Sequence, residues 1–156
     1  MHPATRRTPI DPMDTPEPGR DDEAVFTLLY VSELAAGGAA EIDQICRQSR
    51  ANNQRDRITG VLVFDGQAFC QFVEGSAAAV GALRDRLQRD ARHRDMRVLQ
   101  FGRTPWPRRF TSWRLGYAYS ADPAAIARIA RRRDDDALAA FRDWLPALAA
   151  SDDGSP

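Results

Sequence analysis

Lysine is missing from this chain altogether: every basic side chain is arginine, and the 22 basic residues are balanced by 22 acidic ones. An arginine-only basic set fits a GC-rich coding background and carries no functional argument. The zero net charge does carry one, because no long-range field draws such a protein to nucleic acid or to an anionic membrane surface. Cysteine is scarce as well. Cys46 and Cys70 stand far apart, with no metal-type spacing and no run of histidines beside them, so they read as small buried apolar residues. No apolar stretch is long enough to span a bilayer, and residues 1–22 hold none that would serve as a signal peptide, so the expected compartment is the cytoplasm with no membrane contact. What is present is 156 residues with 43% apolar side chains, enough for one compact domain with terminal extras.

Residues 1–22 are rich in Pro, Asp, Thr and Arg and nearly free of large apolar side chains, which predicts a disordered leader. The segment AVFTLLYVS from Ala24 to Ser32 reads as a buried strand. Gly37 and Gly38 punctuate it, and from Ala39 the pattern turns helical, with Ile42, Ile45, Ser49 and Asn53 on one stripe. Ile58–Phe64 and Ala68–Val73 form a hairpin across Asp65, Gly66 and Gln67. Ser76 caps a second helix with Val80, Leu83 and Leu87 on its core side; Met96–Phe101 is a fourth strand, Pro105 and Pro107 mark a loop, and Trp113–Tyr119 is a fifth strand. The order βαββαβ plus a strand predicts an α+β, ferredoxin-like sheet, mostly antiparallel, with two helices on one face. Asp122 and Pro123 start a helical tail whose stripe Leu138, Phe141, Leu145 and Leu148 would cover the other face, with Pro146 expected to kink or end the last helix. The expected division is therefore a leader at 1–22, a domain at 23–120, a helical extension at 121–150 and a disordered tail at 151–156.

Two residues stand out chemically. Tyr30 lies in the first strand and Gln71 in the later strand of the hairpin, and these strands are neighbours in a ferredoxin-like sheet, so the two side chains can meet on the helix-covered face. Phe69, Gln71 and Val73 share one face while Cys70 and Phe72 share the other, and a Gln in a buried apolar row needs a polar partner. A phenol is a redox-active proton donor, and a carboxamide presents an acceptor and a two-hydrogen donor at one tip. Each has a blander reading: a strand Tyr is commonly core, a strand Gln commonly solvent-facing, and Asn53 a helix-end or turn residue. The run Arg131–Arg133 is cancelled by Asp134–Asp136 and reads as a solvated helix end rather than a nucleic-acid contact.

The stretch NNQRDRITGVLVFDGQAFCQFVEG from Asn52 to Gly75, with YVSELA from Tyr30 to Ala35, resembles the BLUF domains, sensors of blue light using FAD. The match takes in Asn53, Ile58-Thr59-Gly60, Phe69, Gln71 and Glu74-Gly75 together. The resemblance implies a noncovalent flavin, FAD by default with FMN or riboflavin as variants. It implies Tyr30 as the light-driven donor of an electron and proton, Gln71 as the group left rotated or tautomerised, and a red-shifted flavin spectrum as the outcome. It also implies Asn53, with Asn52, at the imide edge; Ile45 and Leu87 sandwiching the ring; Ser32 and Ser49 as further contacts; and Arg92 and His93 near the outer ring and ribityl-phosphate chain. Trp113 matches a semi-conserved position of the family, whereas Leu115 stands where the family commonly has Met, which puts in doubt any relay through a Met side chain. A stand-alone member would signal through another protein chain and self-associate into a homo-oligomer, with no catalytic domain of its own. Two alternatives stay open: a flavin-binding or protein-interaction module without photochemistry, and an acylphosphatase-like hydrolase on the same topology. The second wants an arginine-bearing phosphate loop that YVSELAAGGA does not offer.

Overall fold

A run as apolar as AVFTLLYVS is stable only with both faces covered, and β1 (Val25–Leu34) accordingly lies inside a sheet with Thr27 to Ser32 all buried. In a computed structural model the backbone is described for residues 24–35, 39–110, 113–117 and 124–152, and side chains for the same residues except 39–40, 113–117 and 147–152. After β1 come α1 (Ala39–Arg55), β2 (Thr59–Phe64), β3 (Ala68–Gly75), α2 (Ala77–Arg89), β4 (His93–Thr104), β5 (Trp113–Tyr117), α3 (Ala125–Ala130) and α4 (Asp134–Asp152). The sheet order is β4-β1-β3-β2-β5, with antiparallel pairing except for the parallel β2–β5 edge. This is the expected α+β arrangement with β5 added beside β2.

Local chemistry sets the turns. The Asp65 carboxylate accepts from the backbone N–H groups of Gln67 (2.9 Å) and Ala68 (2.8 Å), and Gly66 takes φ of 104°, which closes the β2–β3 hairpin. At Gly60, φ is 148° and a Cβ would lie 2.0 Å from the Phe72 carbonyl oxygen, so only glycine lets β2 approach β3 there. Ser76 Oγ accepts from the Ala79 N–H at 3.1 Å and starts α2.

The boundaries of β4 depart most from the sequence reading. β4 begins at His93 and ends at Thr104, longer at both ends than Met96–Phe101, because it pairs along the whole of β1 from Leu34↔His93 to Val25↔Thr104. Backbone pairing with a buried strand outweighs the weak strand propensity of Arg94, Asp95 and Arg103. Of the two expectations for Pro146, a kink or an end, the end does not occur: α4 continues to Asp152; the ring forfeits one helical hydrogen bond, while Phe141, Trp144 and Leu145 hold the preceding turns against the core. The Asp122–Pro123 start, the end of the fifth strand at Tyr119, the leader at 1–22 and the side chain of Leu148 lie outside the described residues.

The sheet separates two cores. On one face Leu28, Tyr30, Leu62, Phe69 and Val73 pack with Ile45 and Cys46 of α1 and Val80, Leu83 and Leu87 of α2. On the other, Leu29, Val31, Val63, Cys70, Phe72 and Leu99 pack under Ile126 and Ile129 of α3 and Ala137 and Phe141 of α4. The C-terminal helices thus cover the second face, with the Phe141 ring 5.6 Å from that of Phe72. Both cysteines are free and buried, one in each core, and burial pushes both thiols above their ordinary pKa. Among the described residues no helix is long and apolar enough to cross a membrane.

Candidate functional site

Antiparallel pairing places Tyr30 directly opposite Gln71. Both side chains leave the sheet toward α1 and α2, and the Tyr30 hydroxyl donates to Gln71 Oε1 at 2.5 Å, the short end of the range for such bonds. Tyr30 is 1% exposed and Gln71 3%. Burial, with smaller contributions from Cys70 and Asp90, drives the phenol well above its ordinary pKa, so the hydroxyl keeps its proton and acts as a donor. Among the described residues the amide of Gln71 is held by one bond, through its oxygen. Turning it end for end would present hydrogens to the phenol instead, so the pair has two distinct bonding arrangements.

Helix α1 carries the stripe read from sequence. Ile45 is buried, Ile42, Ser49 and Asn52 are half-buried, and Asn53 is 1% exposed. The backbone of Asn53 does close the helix, its carbonyl accepting from the Ile58 N–H at 2.8 Å before Arg57 takes φ of 56°. Its side chain is another matter: among the described residues neither Nδ2 nor Oδ1 has a hydrogen-bond partner. An amide buried with both ends unsatisfied is costly, on the order of 1–3 kcal/mol per group. It fits a ligand whose edge presents a complementary donor and acceptor, as the imide edge of a flavin does. Ile45 from α1 and Leu87 from α2 line the same core and supply the apolar faces a flat ring needs.

The corner between α2 and β4 brings in His93 and Arg92. His93 Nδ1 and Ser32 Oγ lie 2.8 Å apart, and the ring stands edge-on to Tyr30 with centroids at 6.2 Å and 5.2 Å from Phe69. Burial holds the imidazole below its ordinary pKa, opposed by Asp90 and reinforced by Arg92. Arg92 is engaged already: its Nη2 pairs with Asp90 at 2.7 Å and its Nη1 donates to Gln48 Oε1 at 2.9 Å, tying the corner to α1. A phosphate contact from Arg92 would replace or share those bonds. Sequence reasoning missed Asp90, two positions from Arg92, and Gln48, 44 positions away, which nothing local marks. Trp113 and Leu115 pair in register with Gly60 and Leu62 of β2, which sets them beside the same part of the sheet; their side chains fall outside the described ones. Among the described residues no cluster suited to a metal ion is found.

The geometry agrees with known proteins. The family model for BLUF, sensors of blue-light using FAD, matches residues 25–116, more than half of the chain. Among solved structures, BlrB, a BLUF protein in its dark state, is 29% identical with a TM-score of 0.60, over 70% of this chain and 83% of that one. The BlrP1 BLUF domain is 28% identical with a TM-score of 0.56, over 69% of this chain and 75% of that one. A bacterial light-regulated adenylyl cyclase is 26% identical with a TM-score of 0.60 over 69% of this chain, which spans only 34% of the cyclase. No curated protein sequence matches significantly. With the family pattern spanning both strands and both helices that build the site, this chain belongs to the BLUF family of blue-light sensors.

Proposed function

We propose that this BLUF domain is a photoreceptor that holds a flavin noncovalently between α1 and α2 and uses Tyr30 and Gln71 to turn light into a changed hydrogen-bond pattern. The observation that carries the reading is the buried bond from the Tyr30 hydroxyl to Gln71 Oε1. A flavin bound there would supply the blue-light chromophore and, once excited, the electron acceptor. Tyr30 is the donor: burial keeps its phenol protonated, so loss of an electron would make the hydroxyl strongly acidic and send its proton along the bond to Gln71. Gln71 would accept that proton on its carbonyl side, and the return of one electron and one proton to Tyr30 would leave the carboxamide turned round or tautomerised. Asn53, with Asn52 and Ser49 on the same helix, orients the ring by its polar edge, while Ile45 and Leu87 exclude water from its faces. Ser32, His93 and Arg92 attend the outer ring and side chain, and Trp113 and Leu115 approach from β5.

FAD is the proposed cofactor. One solved structure of BlrP1 holds FMN, and the ring common to FAD, FMN and riboflavin would meet the same side chains. Residues 23–120 would form the sensor and residues 121–150 a helical extension that reports to a second copy or another protein, without catalysis of its own. The test is the absorption spectrum of the purified protein before and after blue illumination. The expected result is a flavin band that shifts to the red and returns in the dark, and a Tyr30→Phe protein that stays yellow but does not shift. A Tyr30→Phe protein that still shifts overturns the donor assignment. A yellow wild type with no shift leaves a flavin-binding module without photochemistry.

A further inference from the structure

Glu74 is 2% exposed, yet it lies on the side of the sheet away from Gln71, three residues further along β3. Its Oε1 accepts from the backbone N–H of Arg109 at 2.8 Å, and its Oε2 from the N–H of Phe110 at 3.1 Å and the Thr59 hydroxyl at 3.3 Å. Arg108 adds a bond from Nη1 to the Arg57 carbonyl at 2.6 Å. Phe110 packs on Phe72, with ring centroids 6.1 Å apart. The segment that leads toward Trp113, the first residue of β5, is thus fastened to β3 through one carboxylate, and its partners among the described residues are two peptide groups and a hydroxyl rather than a guanidinium.

Burying a carboxylate is an expensive way to hold a loop, and an apolar side chain of similar size would stabilise the same packing at less cost. What a carboxylate with two peptide donors gives is a fixed position, because both oxygens are directionally committed. The same Glu74 lines a cavity of about 90 Å³ shared with Thr27, Gln100, Arg109, Leu138 and Phe141, so it borders α4 as well. There is room in that cavity for side chains to shift.

We propose that Glu74 is a positioning residue that couples Gln71 to the far side of the sheet: a displacement of β3 caused at Gln71 moves the Arg109–Phe110 peptides with it, and through them the approach to β5 and the α4 surface beside Phe141. The inference rests on the photochemical reading above. It differs from a merely structural role in what it leaves intact, since the hydrogen bonds of Glu74 among the described residues go to Thr59, Arg109 and Phe110 and none to Tyr30 or Gln71.

The experiment compares flavin-loaded full-length wild type with Glu74→Gln, reading the red shift and the light-minus-dark difference in amide hydrogen exchange. Glu74→Gln should keep the red shift, whereas the light-dependent exchange difference at residues 109–110 and along α4 should fall by at least half. A red shift and an exchange difference both equal to wild type overturn the coupling while leaving the photochemistry standing. A wild type without a red shift overturns the photochemical reading and the coupling with it. Should Glu74→Gln fail to fold, Glu74→Asp, which keeps the charge but withdraws it from both peptides, carries the same expectation and the same refutation.

Discussion

Breaking the Tyr30–Gln71 bond from either side should cost more than breaking it from both. Tyr30→Phe deletes the hydroxyl and leaves Gln71 Oε1, in a residue only 3% exposed, without the donor that reaches it at 2.5 Å. Gln71→Leu deletes the acceptor and leaves a phenol 1% exposed with its hydroxyl unanswered. Each single change should destabilise the flavin-free protein by about 1–3 kcal/mol, the penalty for a buried polar group with no partner. The double change removes both groups and replaces them with apolar surface, so its cost should be about 1 kcal/mol or less. The single costs then sum to about 2–6 kcal/mol against about 1 or less for the double, a coupling of at least about 1 kcal/mol, within the range for directly bonded pairs. Urea unfolding at neutral pH is the assay. With a slope of about 1–3 kcal/mol per molar urea, each single variant should lower the midpoint by on the order of 1 M. Single costs that simply add in the double variant would mean that the two side chains do not share this bond in solution.

Asn53→Leu should leave the flavin-free protein as stable as wild type or more so by about 1–3 kcal/mol, because an unpartnered buried amide is replaced by an apolar group; flavin retention after gel filtration should drop by about tenfold or more, and undiminished retention would remove Asn53 from the site. His93 is held below its ordinary value of about 6.5 chiefly by burial, so between that value and its lower folded value the unfolded chain binds more protons than the folded one. Stability is then full above about pH 6.5 and falls as pH drops toward the folded value, so His93→Gln should flatten the fall of the urea midpoint below pH 6.5; equal slopes in both proteins would refute this. Asp90, whose carboxyl Arg92 holds below its ordinary value, stays ionised near pH 6.5 and opposes the downward shift of His93. Phe141→Ala removes a ring 1% exposed from its stack on Phe72, and should cost about 3–5 kcal/mol in urea unfolding; a loss under about 1 kcal/mol would show that α4 does not seal the second core.

The sequence by itself determined the elements and the identity of the central pair. A β-branched and aromatic run, an Asp-Gly turn, a serine cap and the alternation of Phe69, Gln71 and Val73 are local signals, and local signals decide which face a side chain takes. They were enough to set Tyr30 and Gln71 on neighbouring strands. The family pattern from Asn52 to Gly75 then said what such a pair would serve. Tertiary structure decided what depends on partners distant in the chain. It stretched β4 along the whole of β1, carried α4 through Pro146, bonded Arg92 to Gln48, and turned Glu74 toward the Arg109 and Phe110 peptides. Periodicity records which side of an element is buried; it holds no record of which hydrogen-bond partner will be waiting there, because that partner arrives only when the chain closes on itself.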